Sequence, residues 1–337
     1  MGRYIIKAMP SGILIPTRYC LWFDQANDRV DIPFNTRYNV GVGDMALVLH
    51  FYKIATDTST RLLSGKGTSA AGYATRYNFA VQNSQLRFGF VKDNNAYVAV
   101  GSFSPLQWTV AIGQRVGGGN EGNLQMSSYE VYSNGARGTV GSGTLPWADA
   151  NCDNTARFTL GAAENGSNPF GGFLGPSSFF SRKLLPNEIG QISNNRYNPS
   201  LNAGLWGFHD NAGLKLTDLG SGQNHGSLIN YTATEVDLAT NTVWCPYDGV
   251  CGFSTSAQTY TFTAPNDLTI YKAIRRVSTV ASASWVLKEA DGAALNSGTM
   301  SFDSAGLASS LAIAMAQGQK LEITYAVTAN AVINLFY

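Results

Sequence analysis

Short apolar runs, each closed by turn residues, recur along this chain, and almost nothing between them has a helical period. The segments "MALVLHFYKI" (Met45–Ile54), "LRFGFVK" (Leu86–Lys92), "AYVAVG" (Ala96–Gly101), "WTVAIGQRV" (Trp108–Val116) and "SSYEVYS" (Ser127–Ser133) have strand length and strand composition. Asn-Asn, Asn-Gly, Gly-Gly and Asn-Ser pairs separate such runs, and these residues reach the backbone angles that tight hairpins need. Strand–helix alternation is absent, which disfavours a parallel α/β sheet and leaves an all-β antiparallel fold. The clearest helical signal is "LLPNEIGQI" (Leu184–Ile192). Pro186 presets the backbone for a first turn there, and Glu188 suits the positive end of a helix.

At 337 residues the chain is long enough for two domains. Composition shifts near Asp248. From Gly252 onward Ala, Ser and Thr dominate, and about seven or eight short strands fit the pattern of a second, smaller β-sandwich. In that region "LASSLAIAMAQGQKL" is read as strand and turn rather than helix. The segment "PYDGV" (Pro246–Val250), with its Asp-Gly pair, reads as a turn between the two parts. The expected organisation is an arm over residues 1–20, a first domain over 21–247 and a second over 248–337.

Only 13% of residues are charged, against about 25% in an ordinary soluble domain, and the net charge is +1. Lysines and arginines form no dense run, so nucleic acid is not an expected partner. No apolar run approaches a membrane span, and the amino-terminal "MGRYIIKAMPSGILIP" has neither the unbroken apolar stretch of a secretory signal nor a myristoylation pattern. The four cysteines, Cys20, Cys152, Cys245 and Cys251, form no zinc-ligand spacing. Buried free thiols are expected, with a Cys245–Cys251 bridge across the turn as the alternative. Two glycine-rich stretches imitate phosphate loops. "GGGNEG" (Gly117–Gly122) is followed by strand-like alternation and "SGKGTS" lacks the upstream glycine, so both read as turns.

Five motifs in order carry a family resemblance. They are "LWFDQANDRVDIP" (Leu21–Pro33), "RLLSGKG" (Arg61–Gly67), "QWTVAIGQRV", the hairpin "YEVYSNGARG" (Tyr129–Gly138) and "FTLGAAENGSNPFGGFLGPSSFFSRKLLPNEI" (Phe158–Ile189). Together they resemble the laminin-G-like, concanavalin A-like jelly rolls, which implies an antiparallel β-sandwich ending in a strand and a short helix. "LWGFHDNAGLKLTDLGSGQNHGSLIN" (Leu205–Asn230) resembles a segment that usually precedes such a jelly roll. Here it follows the closing helix, so it is expected to complete the sandwich from the other end. The carboxy-terminal part resembles the small jelly rolls that end many phage fibre and head-appendage chains.

The resemblance implies glycan binding, often with calcium. Asp218 and Asn224 in "TDLGSGQNHG" are the candidate calcium ligands, although Asp and Asn in such a loop more often form its turns. Asp24 and Asp28 in "FDQANDRVD" are a second, weaker pair. For glycan contact the candidates are Trp147 as a stacking platform, Tyr197 as a second ring, and Asn165 and Asn168 as polar partners. Trp22, Trp108 and Trp206 lie in strand patterns and read as core. The alternating Glu-x-Asp-x-x-Glu motif of retaining glycosidases on this fold is missing, and three histidines offer little for a nucleophilic triad. The chain is therefore expected to be no enzyme. Its expected role is a phage virion surface component, an oligomer whose partners are other virion proteins and a host surface glycan. A glycan-cleaving enzyme or a secreted adhesin is the alternative.

Overall fold

The strand Met45–Lys53 alternates in direction but not in burial: all nine of its residues are buried. Successive side chains leave a strand on opposite faces, so both faces of its sheet must be covered. Met45, Leu47, Leu49 and Phe51 enter the main core, whereas Ala46 and Val48 join a second cluster and Tyr52 a third. A computed structural model shows what covers each face. It describes the chain apart from residues 1–12, 15–18, 55–57, 68–74, 93–94, 97–98, 117–128, 141–152, 195, 198–203, 238–239, 255–257, 309 and 328.

The chain is all-β and its strand pairings are antiparallel, as its turn chemistry demands. Among the described residues the first sheet runs Ala136–Arg137, Tyr129–Ser133, Trp108–Arg115, Met45–Lys53, Gly171–Phe180, Tyr19–Asp24, Trp244–Pro246, with Gly204–Trp206 also on Gly171–Phe180. The second sheet includes Gln85–Lys92, Thr75–Gln82, Arg61–Lys66, Phe158–Leu160 and Arg29–Ile32 in that order, continuing to Gly226–Ile229 and Lys215–Leu216. The two sheets enclose the main core. The hairpin expected at Asn134-Gly135 is present: Ser133 opposes Ala136, and both turn residues have positive φ.

The strand Gly171–Phe180 lies inside the sheet, between Met45–Lys53 and Tyr19–Asp24. Its register on Met45–Lys53 shifts between Leu174 and Ser177, across Gly175 and Pro176. Proline cannot donate to a ladder, and a bulge is where an interior strand tolerates one. The helix Pro186–Ser193 then packs Ile189 and Ile192 on Ala46 and Val48, covering one end of the sheet's outer face. Glu188 accepts from the backbone N–H of Leu185 at 2.8 Å and pairs with Arg182 at 2.6 Å, which fixes the first turn. The rearranged segment contributes to both sheets as expected. Trp206 is fully buried, and Gly226–Ile229 pairs with Arg29–Ile32.

From Val250 on, ten strand segments form among the described residues, more than the seven or eight expected, because the Ala/Ser/Thr-rich stretch breaks into several short pieces. Two four-stranded sheets and a two-stranded ribbon surround a separate core of Phe253, Phe262, Met300, Leu321, Ile323 and Ile333 among others. This second sandwich covers the other end of the first sheet's outer face. Cys20, Tyr52, Phe173 and Cys245 from one side meet Ile274, Val332 and Phe336 from the other. Arg276 bridges the junction: its guanidinium lies over the ring of Trp22 at 4.9 Å and donates to Asn334 Oδ1 at 3.2 Å and to the carbonyl of Thr242. Lys272 lies over Phe336 at 4.1 Å.

Cys20, Cys245 and Cys251 are buried free thiols. The Cys245–Cys251 bridge does not form, because the turn after Pro246 sends Cys245 into the junction and Cys251 into the second core. Burial raises all three thiols above the usual range. Cys152 lies outside the described residues.

The glycine of "FTLG" shows how tightly the first core is set. Gly161 has φ +85, and an added Cβ would stand 2.1 Å from the Phe23 ring. Gly161→Ala therefore meets both backbone strain and a clash, and we expect a loss of about 2–4 kcal/mol in urea unfolding. A loss below about 0.5 kcal/mol would show that the Phe23 ring has room to yield.

Candidate functional site

Where the two sandwiches meet, the strand Trp108–Arg115, the turn Tyr247–Gly249 and the strand Gln258–Thr263 enclose a cleft of about 230 Å³. Trp108, Tyr247, Asp248, Tyr260, Thr261 and Thr263 line it, with Phe262 and Val250. Trp108 stands at the start of its strand, on the outer face of the first sheet, and is only partly buried. Its indole stacks on Tyr247 with centroids 3.8 Å apart and planes 18° from parallel, and its Nε1 donates to the Tyr247 carbonyl at 3.3 Å. Tyr247 is held from behind by His50, whose Nδ1 lies 3.4 Å from the phenol oxygen.

Polar groups border these rings. Asp248, Thr261 and Thr263 are exposed and carry no side-chain hydrogen bond or ion pair among the described residues. Although Asp248 sits at the rim, the surface around its carboxyl is enough to raise its pKa above the ordinary carboxylate value. Tyr260 is half-buried, and desolvation followed by the nearby Cys251 and Asp248 pushes its phenol up to about 12. The Tyr52 hydroxyl, electrostatically close to Tyr260, is buried without a hydrogen-bond partner among the described residues. The arrangement can stack an apolar ring face and hydrogen-bond its polar edge. Trp108, read as core, does pack on the buried junction cluster but stays partly exposed, because a strand pattern cannot distinguish a sheet face turned inward from one partly covered by a second domain.

The described side chains among those singled out from sequence lie elsewhere. Asp218 is buried, and its carboxylate accepts three backbone N–H groups: Leu205 and Gly220 on Oδ1 at 2.8 Å each, and Asn224 on Oδ2 at 2.7 Å. Asn224 donates to the carbonyl of Pro33 at 2.8 Å, and its own carbonyl accepts from Trp206 Nε1 at 3.1 Å. Both residues tie their loop to the core, which is the turn-forming role weighed against calcium. Donors aimed at a carboxylate compete with a cation for its oxygens. Asp28 accepts from the Asp24 N–H at 3.1 Å, and burial raises its pKa to about 7, with repulsion from Asp24 adding to the effect. No group of three or more potential metal ligands occurs among the described residues.

Asn165 is exposed and caps its own turn, accepting from the Ser167 N–H at 3.1 Å and hydroxyl at 2.7 Å. Asn168 has φ +54, and its carbonyl accepts from the Leu62 N–H at 2.8 Å. Tyr197 pairs its backbone with Ile13, and its side chain lies outside the described residues. Trp147 and the "GGGNEG" stretch also lie outside them. Lys66 of "SGKGTS" closes the strand Arg61–Lys66, buried and donating to Asn39 and Asn154 at 2.6–2.8 Å, so the first half of a stretch read as a turn is strand.

No family model and no curated protein sequence matches this chain. Among solved structures it is similar to a candidate carbohydrate-binding protein from Bacteroides ovatus, at 13% identity and TM-score 0.46. That match covers 64% of this chain and spans only 59% of the other. It is also similar to the heptameric SAP-like pentraxin of Limulus polyphemus (13% identity, TM-score 0.38, 54% of this chain and 83% of that one). A third similar structure is the CBM40 of Ruminococcus gnavus IT-sialidase bound to α2,3-sialyllactose (10% identity, TM-score 0.38, 54% of this chain and 100% of that one). At such identities the likeness concerns fold alone.

His50, behind Tyr247, gives the fold's stability a pH dependence. It is fully buried, and desolvation lowers its pKa from 6.5 to about 3. The unfolded chain therefore takes up a proton near pH 6.5, while the folded one does not until about 3, so this stabilisation is full above 6.5 and lost as pH falls toward 3. Urea unfolding at pH 7 and pH 4.5 should show a smaller acid-induced loss in His50→Gln than in the wild type. Equal losses would show that His50 titrates normally.

Proposed function

We propose that this chain is a non-enzymatic glycan-binding protein whose site is the junction cleft. The observation that carries the reading is the Trp108–Tyr247 stack and Tyr260 lining one cleft, together with Asp248, Thr261 and Thr263. A pyranose has an apolar face that stacks on aromatic rings, and hydroxyls that bond to carboxylate and hydroxyl groups. The carbohydrate-binding descriptions of two similar structures, from Bacteroides ovatus and Ruminococcus gnavus, agree with this reading.

Binding without cleavage is supported by the disposition of carboxylates. Glycoside hydrolysis needs two facing carboxyl groups, and Asp248 is the one carboxylate among the described lining residues. The described glutamates are engaged elsewhere: Glu130 with Gln114, Tyr132 and Arg137, Glu164 with Arg157, Glu188 with Arg182, Glu235 with Thr232, Glu289 with Gln319 and Glu322 with Lys288. We place the protein on the outside of a phage particle, as an oligomeric head decoration, head fibre or tail appendage. Very low charge and two β-sandwiches in series support that placement.

Two experiments test the two halves of the proposal. Tyr260→Ala and the paired substitution Thr261→Ala/Thr263→Ala, neither of which removes a ring of the Trp108–Tyr247 stack, should each weaken binding on a glycan array by about tenfold or more, with circular dichroism unchanged. Retained binding in both would move the site away from the cleft. Mass spectrometry of density-gradient-purified particles should find the chain at fixed stoichiometry with capsid protein. Its confinement to the soluble fraction would remove the virion placement and leave a secreted lectin.

A further inference from the structure

We propose that the junction cleft receives one neutral pyranose residue and rejects acidic sugars. The inference rests on the glycan-binding reading and adds the class of sugar.

Size sets the first limit. The cleft holds about 230 Å³, below the roughly 300–1,000 Å³ of ordinary small-molecule sites, so it admits a single ring rather than a run of chain. The rings that would meet it come from both sandwiches: Trp108 and Tyr247 from the first and its connecting turn, Tyr260 from the second. The exposed hydroxyls of Thr261 and Thr263 lie on the second side, two positions apart on one strand and hence on the same face.

Charge sets the second limit. Recognition of a sialic or uronic acid calls for an arginine or lysine placed to pair with its carboxylate. None lines this cleft among the described residues. The groups that sense Asp248 electrostatically are the Tyr260 and Tyr337 phenols and the Cys20 thiol. Burial is the first cause of a raised pKa in each, so all three are neutral around pH 7. The cations described around the junction are engaged by other groups: Arg276 by Thr242, Asn334 and the Trp22 ring, Lys272 by Asn241 and Phe336, and Lys320, cross-strand from Thr263, by the carbonyl of Ala290. Asp248 thus presents a carboxylate with no ion-pair partner among the described residues: a good acceptor for sugar hydroxyls and a repulsive neighbour for a sugar carboxylate.

The test uses the full chain and pairs of probes that differ in one group. Methyl glycosides of glucose and galactose are titrated against their uronic acid counterparts by NMR, in the wild type and in Asp248→Asn. A hexose should bind about tenfold or more tightly than its uronic acid in the wild type, and Asp248→Asn should shrink that ratio to about threefold or less. Tyr260→Ala, which leaves the Trp108–Tyr247 stack in place, should lose binding of the preferred hexose, locating it in the cleft. Equal or tighter binding of a uronic acid by the wild type, or a ratio unmoved by Asp248→Asn, overturns the inference while leaving glycan binding intact. Failure of every probe, followed by failure of a broad array of neutral and acidic oligosaccharides, overturns the glycan reading and this inference with it.

Discussion

The stack of Trp108 on Tyr247 is the contact on which the arrangement of the two sandwiches turns. Trp108 belongs to the outer face of the first sheet, and Tyr247 opens the turn that carries the chain into the second sandwich. Stacked rings 3.8 Å apart, with the indole N–H bonded to the tyrosine carbonyl, clamp that turn to the sheet. Immediately beyond it Gly249 lies against the backbone of the strand Ala331–Phe336, where a Cβ would stand 2.4 Å from the Leu335 carbonyl oxygen. The turn is therefore fixed at both ends. The cleft exists because two rigid surfaces are joined at that angle, and the rings that shape it also hold the joint.

The outer face of the first sheet explains why the chain contains its few irregular pieces. A sheet with one solvated face would show polar alternation, yet Met45–Lys53 is buried throughout. The short helix answers that need over Ala46 and Val48, and the second sandwich answers it over Tyr52 and Phe173. Cationic side chains at the joint, Arg276 and Lys272, lie over aromatic rings and donate to neutral oxygens. Burial lowers the pKa of each. Their stems add apolar cover to the junction, which is how charged residues serve in so uncharged a chain.

Much of this was legible where local chemistry decides structure. Asn134-Gly135 dictated a hairpin, Pro186 and Glu188 dictated a helix start, and the alternation around Trp206 placed it in the core. The segment over residues 205–230 was recognised as completing the sandwich because its Trp and Gly-rich turn survive the rearrangement. The cleft was not legible. Trp108 and Tyr260 lie far apart in sequence, on strands whose patterns report only alternation, and Tyr247 reads as part of a turn. Asp218 was ambiguous for a different reason: a carboxylate in a Gly-rich loop looks the same whether it gathers backbone N–H groups or a cation. The Asp-Gly turn of "PYDGV", with Tyr247 just before it, was read only as a turn, although Tyr247 and Asp248 both belong to the site.

The measurement that bears most directly on the cleft is a crystal structure of the full chain grown with a neutral hexose glycoside. We expect one sugar ring packed against Trp108 and Tyr260, with a hydroxyl of the sugar within hydrogen-bond distance of the Asp248 carboxylate. A sugar bound instead at the loop of Asn165 and Asn168, with the junction cleft filled only by water, would contradict the assignment.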